Sequence, residues 1–138
     1  PGKDGKRHLL HGRNMDYDGL GMWDDSHTVA FLKPESGQAY GFISTAGIHT
    51  AALTGFNESG IFAAVNTSPT RDCSWRGEPL FAVMDRMIRN AMDLDEALTL
   101  LSKSKIASGY NIHISHGPSG RSAVAEISYS KMVVRYPE

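Results

Sequence analysis

The chain has 138 residues, 41% of them apolar and 21% charged, a composition that suits one compact globular domain and is too mixed for disorder. Its formal net charge is −1 and its lysines and arginines are scattered rather than striped, so it carries no basic field for a phosphate backbone, and nucleic acid is not an expected partner. Cys73 is the only cysteine, which excludes an internal disulfide and any zinc ribbon or CxxC site, and no apolar run approaches the ~20 residues of a membrane span.

In chain order, the opening PGKDGKRH is too polar for a signal peptide, so no membrane partner is expected and the compartment stays undetermined. Residues 8–14 (HLLHGRN), 27–33 (HTVAFLK) and 38–45 (QAYGFIST) are short, rich in β-formers and separated by turn clusters such as KPESG. They are expected to be consecutive strands. The runs AALTGF and IFAAVN flank NESG, whose asparagine and glycine suit a tight reversal between antiparallel strands. Residues 67–79 have two prolines and no periodicity and read as a surface loop.

From Pro79, tolerated in a first turn, Leu80, Val83, Met84, Met87, Ile88 and Ala91 recur at helical spacing. Asp93 and Glu96 form a capping-box pattern ahead of a second helix, with Leu94, Ala97, Leu98 and Leu101 on one face and SGY of 108–110 as its end. NIHIS, SAVAEIS and KMVVRY read as closing strands, the first two joined by HGPSGR. This order excludes βαβ alternation and predicts an α+β fold, a single domain over residues 1–138 with helices covering one face of a largely antiparallel sheet. The first expected strand begins within ten residues of Pro1 and KMVVRYPE stops where a strand should turn back, so both ends read as truncated.

Several residues invite chemistry. In HGRNMDYDG, residues 11–19, Arg13 and Asp16 sit three apart; the plain alternative is an ion pair at a strand end, worth little. Asn57 reads as a turn former, whereas Asn66, closing the run IFAAV, is a strand-end amide able to serve as an oxyanion donor, a role typically worth about 3 kcal/mol in acyl transfer. Cys73 with one of the six histidines would make an ordinary cysteine–histidine pair, although a lone loop cysteine is more often incidental. His8 and His11, and again His113 and His116, are three apart. On a strand that spacing points the two side chains to opposite faces, which argues against zinc, and no cofactor is expected.

HGRNMD, FISTAG, GFNESGIFAAVN, RGEP ahead of a helix, and ASGYNIHISHGPSGRSAVAEIS occur here in that order. Together, from about residue 8 to 128, they resemble cysteine-type N-terminal nucleophile hydrolases of the penicillin acyltransferase-like branch, and GRNMD is also similar to choloylglycine hydrolases. The resemblance implies a four-layer αββα sandwich, of which this chain would be the central segment. It implies a hydrolase or acyltransferase for linear carbon–nitrogen amide bonds, in which autoprocessing exposes an N-terminal cysteine that forms a thioester while its own α-amino group acts as base. In that scheme Arg13 and Asp16 flank the thiol and Asn66 belongs to the oxyanion hole.

The chemistry agrees with those roles. A nearby guanidinium favours the reactive thiolate, a carboxylate orients the α-ammonium, and an α-amine titrating at about 8 can act as base near neutrality. The family's nucleophile would lie upstream of Pro1 and a further asparagine beyond Glu138, so these residues alone are expected to be inactive. His49, Trp23 and Trp75 are candidates to line the substrate cleft, with a histidine satisfied within the sheet and tryptophans packed in the core as the plainer readings. Glu126 has an acidic counterpart in the family without an evident mechanism. The expected partner is a small-molecule amide substrate, with a homo-oligomer left open. From another class, the alternative is a non-catalytic α+β binding or assembly domain that keeps the sandwich.

Overall fold

The computed structural model describes residues 9–14, 21, 26–45 and 47–137. Within them one antiparallel sheet runs in sequence order: β1 (His27–Leu32), β2 (Tyr40–Thr45), β3 (Thr54–Asn57), β4 (Ile61–Thr67), β5 (Tyr110–His116), β6 (Arg121–Ile127) and β7 (Met132–Arg135). Helices α1 (Leu80–Asn90) and α2 (Leu94–Ser102) are inserted between β4 and β5. The fold is α+β, as expected, with a single helical layer on a single sheet.

Period-two alternation decides what each face carries. Ile61, Ala63 and Val65 of β4, Ile112 and Ile114 of β5, and Ala123, Ala125 and Ile127 of β6 share a buried core with Val83, Met84, Met87 and Ile88 of α1 and Leu94, Ala97, Leu98 and Leu101 of α2. Gly55 lets α1 come close, because a Cβ there would stand 2.9 Å from Ile88 Cγ1. The intervening residues of the same strands, among them Phe62, Asn66, His113 and Glu126, lie on the helix-free face. That face also exposes Val29, Phe31, Ile43 and Val133.

Two sequence expectations are corrected. The described part of the segment expected as a first strand, residues 9–14, has no strand structure. It lies against β4 and β5 on the helix-free face, and both strands already have ladder partners on each side, so no edge is free for it. Helix α2 ends at Ser102 rather than near 108–110. There Glu78 N donates to Lys105 O and Ala107 N to Glu78 O, at 2.6 and 2.9 Å, drawing the chain into a tertiary bridge in place of another helical turn. The capping box forms with a shift: Asp93 Oδ1 accepts from Glu96 N at 2.9 Å, while Glu96 Oε2 accepts from Met92 N rather than from Asp93 N.

Asn57 does more than form a turn. Its Nδ2 donates to Ile88 O and Ala91 O, both at 2.8 Å, and its Oδ1 accepts from Ile61 N at 3.0 Å. One buried amide thereby satisfies carbonyls at the end of α1, where helices lack internal donors, and closes the reversal into β4, in which Gly60 takes φ +89. Asn57→Ala should destabilise the protein by about 3 kcal/mol, the upper end for stranding buried polar partners. Urea unfolding should show this as a lowered midpoint at an unchanged slope.

Candidate active site

Arg13 and Asn66, 53 positions apart in the sequence, meet at the end of β4. Arg13 Nη2 donates to Val65 O at 3.0 Å, the carbonyl of the peptide that joins Val65 to Asn66. Its Nη1 donates to Asn14 O, and its Nε is buried without a partner. Burial pushes the guanidinium below its usual pKa, yet an arginine stays charged at any physiological pH. Among the described residues no carboxylate pairs with it. Among the described residues this half-buried cation is bonded only to carbonyls, an arrangement that favours a nearby anion.

Asn66 is exposed on the helix-free face, and its side-chain amide has no hydrogen-bond partner among the described residues. In register it stands beside Asn111 of β5, which stands beside Glu126 of β6, so a polar row crosses three strands. Glu126 is held by Arg135 Nη2. A cleft of about 500 Å³ opens along the outer end of this row, lined by Asn111, Glu126, Lys131 and Arg135 among others.

Two residues upstream of Arg13 stands a cluster that the sequence does not announce. The His11 ring lies between Phe62 and His113, with centroids 4.3 Å from each, and its Nδ1 is 2.8 Å from Ser115 Oγ. A histidine from the N-terminal segment and one from β5 are thus brought together, while His113 and His116 point to opposite faces of β5, as their spacing predicts. His113 faces this cluster, and His116 lies on the other face, bonded to Ser119 Oγ at 2.8 Å and Ser59 O at 3.2 Å. Among the described residues no group of His, Cys, Asp and Glu is arranged to hold a metal ion. The one sequence trace of the cluster is the polar alternation Asn111, His113, Ser115 within an otherwise apolar strand.

The remaining candidates are dispersed. His49 is exposed in the connection between β2 and β3, not satisfied within the sheet. Trp75 is 88% exposed in the loop before α1, with the Arg76 guanidinium 5.1 Å from its ring centroid, so it is not a core residue. The connections leave both side chains in solvent because neither has a strand or helix face to direct it inward. Cys73 is exposed in the same loop as Trp75, and among the described residues no histidine hydrogen-bonds to it. That loop is tied down by Asp72, whose Oδ2 accepts from Ser128 Oγ at 2.6 Å and from Ser130 N at 3.0 Å; these bonds hold its carboxyl below the usual range. Asp16 and Trp23 lie outside the described residues.

Residues 2–138 match the family described as acyl-coenzyme A:6-aminopenicillanic acid acyl-transferase. Among solved structures the chain is similar to a variant of conjugated bile acid hydrolase from Clostridium perfringens, with 18% identity, coverage of 85% of this chain and 45% of that one, and a TM-score of 0.64. It is also similar to penicillin V acylase from Agrobacterium tumefaciens, with 25% identity, coverage of 76% and 35%, and a TM-score of 0.53. The chain therefore spans less than half the length of either structure. No curated protein matches it. The match over nearly every residue and the shared arrangement of sheet and helical pair lead to one assignment: this chain belongs to the acyl-coenzyme A:6-aminopenicillanic acid acyl-transferase family and has the α+β fold of the N-terminal nucleophile hydrolases.

Proposed function

We propose that the protein containing this chain is an amidase or acyltransferase that opens linear carbon–nitrogen amide bonds of small molecules with an N-terminal cysteine, exposed by autoprocessing upstream of Pro1. The observation that carries the reading is the bond from Arg13 Nη2 to Val65 O, which brings the guanidinium to the peptide preceding Asn66; among the described residues no carboxylate pairs with that cation and no group hydrogen-bonds to the Asn66 side chain. Family membership supports the same chemistry.

In this reaction the cysteine's α-amine, oriented by Asp16, takes the thiol proton, and the Arg13 guanidinium favours the thiolate. Sulfur attacks the amide carbon and the carbonyl electron pair moves to oxygen. The resulting oxyanion accepts a hydrogen bond from Asn66 Nδ2. Collapse breaks the carbon–nitrogen bond, the leaving amine takes the proton back from the α-ammonium, and the acyl group stays on sulfur as a thioester. Water then completes hydrolysis, or a second amine completes acyl transfer. His49, Trp23 and Trp75 are proposed to contact the acyl group; the exposure of His49 and Trp75 leaves both free to do so.

Asn66 works only once the oxyanion has formed. In the full-length protein Asn66→Leu should lower kcat by about 10²–10³-fold while KM moves much less. Single-turnover acylation and thermal melting on one preparation check this; a lowered melting temperature with an unchanged acylation rate would remove Asn66 from the chemistry. Arg13→Ala should shift the pH profile of thiol alkylation upward by roughly one pH unit, because the thiolate loses its cationic neighbour. An unshifted profile would count against the role of Arg13.

A further inference from the structure

The six described residues 9–14 hold no ladder bonds, so something else must fix where Arg13 starts. Leu9, Leu10, Gly12 and Asn14 are exposed, and only His11 and Arg13 are half-buried. The arginine side chain is long and costly to order, and its own bond to a carbonyl is a weak anchor for the backbone that carries it. His11 is anchored on three sides, by Phe62 of β4, His113 of β5 and Ser115 of β5. We propose that His11 is a positioning residue, which clamps the Arg13 segment across β4 and β5 and so sets the reach of the guanidinium to the Val65–Asn66 peptide. This rests on the functional reading above for its purpose, though the clamp itself is a matter of geometry.

The clamp needs a neutral ring. Ser115 Oγ is placed to donate its single proton to Phe62 O, 3.4 Å away, and so accepts from His11 Nδ1–H. Nε2 is then bare, buried and without a partner. A second proton would have to sit there with no acceptor, against the His113 ring and two residues from the Arg13 cation. Burial, with His113 second, accordingly lowers the His11 pKa from 6.5 to about 4. Phe62 and Ser115 are uncharged, so among the described residues His113 and Arg13 are the titratable or charged groups that face it. A depressed histidine takes its proton in the unfolded chain first, so stability is full above pH 6.5 and is lost as pH falls towards about 4.

The test uses the full-length protein and three variants: His11→Phe keeps a ring without the bond to Ser115, Ser115→Ala removes the partner, and His11→Asn keeps a donor near Nδ1. His11→Phe and Ser115→Ala should lower kcat/KM on the order of 10- to 100-fold, chiefly through kcat, the size expected when a supporting contact is lost and a catalytic group is displaced. His11→Asn should recover most of that loss, and in an Arg13→Ala background His11→Phe should cost little more. Independently of turnover, ¹⁵N spectra should show Arg13 guanidinium protons exchanging faster in His11→Phe than in the parent. Melting temperature should fall more steeply from pH 6.5 to 4.5 in the parent than in His11→Phe. Arg13 exchange and kcat unchanged in both His11→Phe and Ser115→Ala would overturn the clamp while leaving the functional reading intact. A parent protein without amidase activity, or an Arg13→Ala variant with an unshifted alkylation profile, would instead remove the functional reading and with it the purpose assigned to His11.

Discussion

Because strand side chains alternate, the pairing of β4 with β5 in the register Val65↔Ile112 and Asn66↔Asn111 governs everything near the site. It sends Val65 and Ile112 into the core beneath the helices and leaves Asn66 and Asn111 on the other face. It also turns the Val65 carbonyl to where Arg13 can reach it. A slip of one residue would bury Asn66 and expose Val65, which the apolar core forbids. The hydrophobic face thus specifies the polar one.

The same sheet holds its helices by polar as well as apolar means. Asn57 and Gln38 both send side-chain amides to carbonyls at the C-terminal end of α1: Gln38 Nε2 donates to Arg89 O and Ala91 O at 3.2 and 3.0 Å, alongside the bonds of Asn57 to Ile88 and Ala91. These satisfy groups that a helix end would otherwise strand. A helix tied at its end to β3 and to the approach of β2 gives the sheet a stiff backing, and a stiff backing keeps donors on the opposite face in place. In the proposed reaction, preorganisation of that kind is what an oxyanion donor at Asn66 requires.

The helix-free face is itself divided. Towards β1 and β2 it is apolar, with Val29, Phe31 and Ile43 exposed and Phe31, Phe56 and Phe62 in ring contact along it. Towards β4, β5 and β6 it is polar, with Asn66, Asn111, His113, Ser115 and Glu126. Arg13 and His11 lie at the polar part, where limited access to water disfavours the charged form of both. An arginine retains its proton under that pressure because its starting pKa is so high, while an imidazole gives its proton up.

Local pattern alone determined a good part of this protein. Runs of β-formers between turn clusters located β1 to β7, helical spacing located α1 and α2, Asp93 marked the start of the second helix, and motif order carried the family. Those features depend on neighbours a few residues away, which the sequence displays directly. Tertiary structure decided the rest. HLLHGRN has the composition of a strand, but a strand also needs a free ladder edge, and β4 and β5 offer none. SKSKIAS could have extended α2, but Glu78, distant in sequence, captured its backbone. The meeting of His11 with His113 and Ser115, and the bond from Arg13 to Val65, span 102, 104 and 52 positions. Contacts of that range follow from register and from how a segment crosses a sheet, which no local periodicity encodes.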